Sequence, residues 1–147
     1  MKIIYYDEKY LLPCAQLFMN HYNQSQTTDT FTKERACAYL QEHIFKPRFV
    51  GFLLLKKDVL IGFAFTHLRT WSATDDLHID ELIMDNDYQR KGLGTKLLTF
   101  IESYAKNFKL SGITVSTNAA PLTQFFQKSD FKTHEISFLY KGFKHTE

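Results

Sequence analysis

Cysteine occurs only twice, as Cys14 and Cys37, too few for a disulfide framework, and both fall in helix-like segments where a buried thiol is expected rather than a nucleophile. The six histidines, His21, His43, His67, His78, His134 and His145, show no HExxH or comparable spacing, so no metal is expected and each histidine is read as structural or solvated. No run approaches the roughly 20 apolar residues of a membrane span, and the first residues, Met1-Lys2-Ile3-Ile4-Tyr5-Tyr6-Asp7, lack a signal-peptide core. No membrane partner is expected, and the cytoplasm is the expected location. The net charge of +2 says little about partners, but the lack of a continuous basic face beyond residues 89–96 argues against nucleic acid. Internal repeats and low-complexity segments are missing as well.

What is present is an aromatic-rich chain of 147 residues with 14 Phe and 8 Tyr, long enough to bury a core without disulfide or metal and expected to form one domain over residues 1–147. Residues 2–6 read as a strand. Leu11, Leu12, Ala15, Phe18, Met19 and Tyr22 recur at helical spacing, residues 23–29 form a polar loop, and Thr32 is suited to cap a second helix running to about His43. Residues 48–56 and 59–69, joined by Lys57-Asp58, predict a hairpin, with Gly51 and Gly62 marking bulges or close approaches. A strand over 77–84 follows. A helix then carries Leu93, Leu97, Leu98, Ile101, Tyr104, Ala105 and Phe108 on one face, and residues 112–117 predict a strand parallel to 77–84 through a right-handed crossover. A short helix over 120–128 and a hairpin-like pair, 131–134 with 136–141, complete a mixed α/β order.

Between the strand and the long helix lies Gln89-Arg90-Lys91-Gly92-Leu93-Gly94-Thr95. Gly92 and Gly94 allow positive φ and close approach, the first helical N–H groups have no intrahelical partner, and Arg90, Lys91 and Lys96 add charge. The segment has the makings of a phosphate cradle, although it lacks both the third glycine of a Rossmann fingerprint and the Gly-Lys-Ser/Thr of a P-loop. Upstream, Asp75, Asp76, Asp80, Glu81, Asp85 and Asp87 gather carboxylates beside this basic turn, a sign pattern that would draw a cationic amine. Asp75, Asp76, Asp85 and Asp87 are read as a solvated rim. Strand alternation sets Asp80 with Leu82 and Met84, and Glu81 with Ile79 and Ile83, so only one of the two carboxylates is expected to face the site. Either could take a proton from an amine. Trp71, a lone indole on the preceding loop, is a packed anchor or an aromatic platform for a cation.

Gln89-x-x-Gly92-x-Gly94, with Leu82 to Met84 before it and Leu97-Leu98 after it, resembles the coenzyme A pyrophosphate loop of the GNAT superfamily of N-acetyltransferases. The element order is the order of that family too. The resemblance spans nearly the whole chain, but its specific motifs lie within residues 77–131. It implies a mixed sheet of about six or seven strands flanked by about four helices, with acetyl-CoA in a V between two splayed parallel strands. In that reading Gln89, Arg90, Lys91, Gly92, Leu93, Gly94 and Thr95 take the pyrophosphate. The Met84 backbone holds the pantetheine and offers its N–H to the thioester oxygen, and Asn118 lines the cofactor arm.

Ile79-Asp80-Glu81-Leu82 is similar to the run in aminoglycoside 6′-N-acetyltransferases whose aspartate is the general base, which favours Asp80 with Glu81 as the alternative. Trp71, Asp80 and Glu81 would then face the acceptor amine. The chain departs from the family twice: Phe126 stands where a tyrosine meets the CoA sulfur, and Asp130 stands where glycine precedes Phe131. Without that hydroxyl the thiolate leaves unprotonated or takes its proton elsewhere, and Phe126 is left to pack against the pantetheine arm. The resemblance implies acetyl transfer to a primary amine of a small cationic molecule, aminoglycoside- or polyamine-like, by direct attack in a ternary complex. The alternatives are a protein N-terminus or lysine as acceptor, or a non-catalytic acyl-CoA-binding regulatory module. Family members often form homodimers.

Overall fold

The computed structural model describes residues 1–24, 30–117 and 120–145. They fall into two compact units, Met1–Ser116 and Thr117–Glu147. The larger unit is built on a five-stranded sheet in the order β1-β2-β3-β4-β5, formed by β1 (Lys2–Tyr5), β2 (Phe49–Lys56), β3 (Val59–Thr70), β4 (Asp75–Met84) and β5 (Ile113–Val115). The first four strands pair antiparallel, and β4 and β5 pair in parallel. Helices α1 (Leu11–Gln24) and α2 (Lys33–Ile44) precede the β2–β3 hairpin, and α3 (Leu93–Asn107) makes the crossover from β4 to β5.

The starts of α2 and α3 follow from local chemistry. The Thr32 hydroxyl accepts from the Arg35 N–H at 3.2 Å and caps α2. Gly92, at φ 75°, turns the chain into α3 without a side-chain cap. Cys14, Ala15, Leu17 and Phe18 of α1 and Ala36 and Leu40 of α2 pack on one sheet face with Leu53, Leu55, Phe63, Phe65 and Ile83. Phe52 faces the other way and meets Phe100 and Tyr104 of α3 at 5.9 and 5.4 Å between ring centroids. The tight turn between β2 and β3 is Lys57-Asp58, both with positive φ. Gly51 and Gly62 mark close approaches, as expected: a Cβ on Gly51 would lie 2.6 Å from Tyr6 Cβ, and one on Gly62 2.4 Å from Met84 Sδ.

One irregularity shapes the site. Phe65 faces Glu81 and Thr66 faces Ile79, so Asp80 is an extra residue in β4 with no partner across the ladder. This is a β-bulge, and it breaks the simple alternation read from the sequence. β4 pairs with β5 only at Leu77, His78 and Ile79, which leaves its edge from Asp80 to Met84 beyond the last pair on that side. The pairing of the two parallel strands therefore ends at the bulge, where the splay is expected.

The smaller unit contains α4 (Ala120–Gln127). After it the Phe131 N–H bonds to the Phe126 carbonyl at 3.2 Å, and the Phe126 ring lies 5.1 Å from Phe125 and 5.2 Å from Phe131. The expected pairing of 131–134 with 136–141 does not form: no strand occurs in 131–145, so among the described residues the sheet has five strands rather than six or seven. Alternating Ile136, Phe138 and Tyr140 supply a strand-like pattern, but Glu135 alone between the two runs is shorter than the two-residue loop of the commonest hairpins. Of the loop expected at 23–29, Asn23 and Gln24 instead continue α1 as its last residues, and 25–29 lie outside the described residues.

Phe63 is fully buried at the centre of the α1/α2 face, 4.8 Å from the Phe65 ring. Phe63→Ala should lower unfolding free energy by about 3 to 5 kcal/mol in urea or guanidinium titration, whereas the same change at Phe138, which is exposed, should leave it nearly unchanged.

Candidate active site

The bulge turns Asp80 and Glu81 to the same face of β4, contrary to the expectation that only one would reach the site. The Tyr39 hydroxyl donates to Glu81 Oε1 at 2.6 Å, and His43, one helical turn further along α2, lies 3.9 Å by Nδ1 from Asp80 Oδ2. Lys46, just beyond α2, donates to Asp80 Oδ1 at 3.0 Å. From the sheet, His67 Nδ1 meets Asp80 Oδ2 at 2.7 Å and His78 Nε2 lies 4.0 Å from Asp80 Oδ1. His67 and His78 are partners across the β3–β4 ladder, and His78 Nδ1 is 2.7 Å from Thr114 Oγ1 of β5.

Three histidines therefore surround Asp80, which corrects their reading as isolated structural or solvated residues. They were hidden because their positions, on α2, β3 and β4, are brought together only by pairing and packing. A signal did exist: His67 and His78 sit equidistant from the β3–β4 turn. Among the described residues these side chains do not form a group able to hold a metal ion.

Environment separates the two carboxylates. Burial works to raise the Asp80 pKa, but the bonds from His67 and Lys46 outweigh it and hold this carboxyl below its ordinary value. Glu81 is 8% exposed. Burial raises its pKa to about 7, with the Tyr39 bond opposing the rise. Burial also lowers the His43 and His78 pKa values, which keeps both rings neutral near pH 7. Both His43 nitrogens are buried and have no hydrogen-bond partner among the described residues.

Past β4, the Asp85 N–H bonds to the Ile61 carbonyl at 2.8 Å. Ladder bonds alternate along an antiparallel strand, so the Met84 N–H and carbonyl point away from β3 toward the splayed side. The Met84 carbonyl accepts from Gln89 Nε2 at 3.4 Å. A short 3-10 turn, Asn86–Tyr88, then leads into Gln89, Arg90, Lys91 and Gly92. Arg90 has φ 64° and Gly92 φ 75°, whereas Gly94 lies inside α3 and is not among the glycines with positive φ. The left-handed pair is Arg90 and Gly92, not the two glycines. A Cβ added to Gly92 would meet nothing within 4 Å, so the turn is open to a ligand. The N–H groups of Leu93, Gly94 and Thr95 open the helix, and the Lys91 ammonium sits 5.4 Å over the Tyr88 ring. These residues fit a diphosphate.

One expected acceptor contact lies apart from the carboxylates. Trp71 is 78% exposed at the β3–β4 turn, where its N–H bonds to the Thr74 carbonyl at 3.2 Å. Asp80 is five residues further along the strand from Asp75, roughly 17 Å of extended chain. Asn118 lies outside the described residues. Phe126, in the smaller unit, is buried. Asp130 takes φ 68°, the left-handed conformation for which glycine is best suited and which aspartate tolerates. Cys14 is fully buried, and that burial pushes its thiol pKa up, away from nucleophilic use.

A family model described as an Acetyltransferase (GNAT) domain matches residues 18–147, and the chain belongs to that family. It is a GNAT-type N-acetyltransferase, and enzymes of this family use acetyl-CoA as cosubstrate. Among solved structures the chain is similar to an aminoglycoside acetyltransferase from an uncultured soil metagenomic sample in complex with sisomicin, at 18% identity over 97% of this chain and 96% of that one, with a TM-score of 0.75. It is also similar to a possible acetyltransferase from Clostridium difficile 630, at 12% identity over 98% of each chain and a TM-score of 0.81. A transcriptional regulator from Bacillus halodurans C-125 matches at 13% identity, over 95% of this chain and 99% of that one, with a TM-score of 0.74. At these identities the likeness is one of fold. No curated protein matches the chain by sequence.

Because the folded-state pKa of Glu81 lies above its ordinary value of 4.5, the folded protein binds more protons than the unfolded chain between pH 4.5 and about 7. Stability should fall as pH rises through that window, by on the order of 3 kcal/mol from this group. Glu81→Gln should therefore be more stable than the parent above pH 7 and converge with it below pH 4.5, as read from urea midpoints across pH.

Proposed function

We propose that this enzyme transfers the acetyl group of acetyl-CoA to a primary amine of a small cationic molecule by direct attack in a ternary complex. The whole chain, residues 1–147, acts as one N-acetyltransferase domain in this reading, which a single family match running through both units supports. The carrying observation is the bulge at Asp80, which sets two carboxylates side by side where β4 parts from β5. The aminoglycoside-like acceptor implied by Ile79-Asp80-Glu81-Leu82 gains support from the sisomicin-bound neighbour.

Gln89, Arg90, Lys91, Gly92, Leu93, Gly94 and Thr95 would bind the diphosphate through backbone N–H groups and flanking charge. Met84 would hold the acyl arm through its outward backbone, its N–H aimed at the thioester oxygen as negative charge develops there. Asn118 and Phe126 keep the cofactor-arm roles that the family pattern implies. The acceptor enters as an ammonium and must lose a proton before its lone pair can attack. Of the two candidate bases, Glu81, with a pKa of about 7, is better matched to that step than Asp80, whose two oxygens are engaged by Lys46 and His67. Asp80 then contributes fixed charge beside the amine. As the C–N bond forms and the C–S bond breaks, the second amine proton passes to the departing sulfur, or to water when the sulfur leaves as a thiolate. Trp71 remains a candidate contact only for an acceptor long enough to reach the hairpin turn.

Two measurements test this. Gly92→Asp, which adds a negative charge and strains a left-handed position, should weaken CoA binding at least about tenfold by calorimetry. Glu81→Gln should retain CoA affinity while kcat falls by about 10² to 10⁴, with loss of the parent's rate limb near pH 7. A parent that binds CoA but acetylates no amine in a broad panel would overturn the proposal.

A further inference from the structure

We infer that the preferred acceptor is a monocation whose single positive charge is the ammonium being acetylated, and that it carries an uncharged hydrogen-bonding group in place of a second amine. This rests on the proposed acetyl transfer to a primary amine, and it assigns a singly charged acceptor where the family pattern implies a polycationic aminoglycoside or polyamine.

Three of the carboxylates that look like an acidic rim in the sequence are neutralised by the fold. Asp75 is paired with Arg48 at 2.6 Å, Asp76 with Arg69 at 3.0 Å and Asp80 with Lys46 at 3.0 Å. Each of these aspartates has its own cation. The histidines facing Asp80 from α2, β3 and β4 are His43, His67 and His78, and His67 spends its Nδ1 on Asp80. From α1 and α2 the groups facing Glu81 are the hydroxyls of Tyr22 and Tyr39, while Glu42 is exposed on α2. Glu81 is the buried carboxylate with no salt-bridge partner among the described residues. One such carboxylate balances one ammonium. A second cationic group on the acceptor would shed water beside Lys46, Arg48 and Arg69, where Asp75, Asp76 and Asp80 are already paired.

His43 says what replaces that second charge. Its two buried nitrogens lack partners, and a neutral imidazole offers one N–H and one lone pair. That pair of capacities suits a hydroxyl or an amide, which both donates and accepts. Asp80 Oδ2 and His43 Nδ1, 3.9 Å apart, can be reached together by a single polar atom at ordinary bond lengths of about 2.9 Å.

The test compares an α,ω-amino alcohol with the diamine of equal chain length, each with acetyl-CoA, by thiol release at two ionic strengths. The amino alcohol should show kcat/KM higher by about tenfold, with little dependence on salt. Lys46→Met, which strips Asp80 of its counter-ion, should move the ratio toward the diamine by about the same factor. His43→Leu should raise KM for the amino alcohol and leave KM for the simple alkylamine of the same length unchanged. A parent enzyme that prefers the diamine, with a rate falling steeply in salt, overturns the inference while leaving the acetyltransferase reading intact; this arm does not depend on any variant folding. Acetylation of neither compound, nor of any other primary amine despite CoA binding, removes the acceptor site itself and the inference with it.

Discussion

Everything at the site depends on one extra residue in β4. With regular pairing, Asp80 and Glu81 would point to opposite faces. The bulge at Asp80 lets both meet α2, where Tyr39 and His43 stand one turn apart to receive them. The parting of β4 from β5 begins at the same place, after Ile79. A single local irregularity thus supplies the carboxylates, their shared orientation and the exposed backbone of Met84. β4 and β5 are joined through the α3 crossover and not through a tight turn.

The two acids are chemically unlike because their neighbours are unlike. Asp80 sits between a lysine and a histidine and stays charged. Glu81 has hydroxyls for company and hovers near the neutral range. Adjacent titratable groups with pKa values driven apart are a usual way for one site to hold a charge and move a proton at the same pH. The family pattern on its own favours the aspartate for the proton; the base role proposed for Glu81 rests on its raised pKa beside an Asp80 held low.

Much of the fold was legible because periodicity and turn chemistry act locally. The α2 cap at Thr32, the Lys57-Asp58 turn, the apolar face of α3 and the parallel β4–β5 crossover all follow from short stretches of sequence. The glycine loop was legible in outline, although Arg90 rather than Gly94 takes the second left-handed position. The bulge was not legible, because Ile79-Asp80-Glu81-Leu82 alternates as well as any regular strand and the extra residue is defined only against Thr66 and Phe65 across the ladder. The histidine cluster and the ion pairs to Arg48, Arg69 and Lys46 were out of reach for the same reason. The C-terminal alternation misled in the opposite direction, since a strand pattern does not provide its own partner.

The order of the sheet also constrains the order of assembly. β1 opens the chain, yet its register sets Lys2 against Leu55, roughly fifty residues later, so its closure entropy is met only after α1, α2 and β2 exist. The β2–β3 hairpin, by contrast, closes over two residues. During synthesis the first strand must therefore wait, and the hairpin is the natural template on which both neighbouring strands condense.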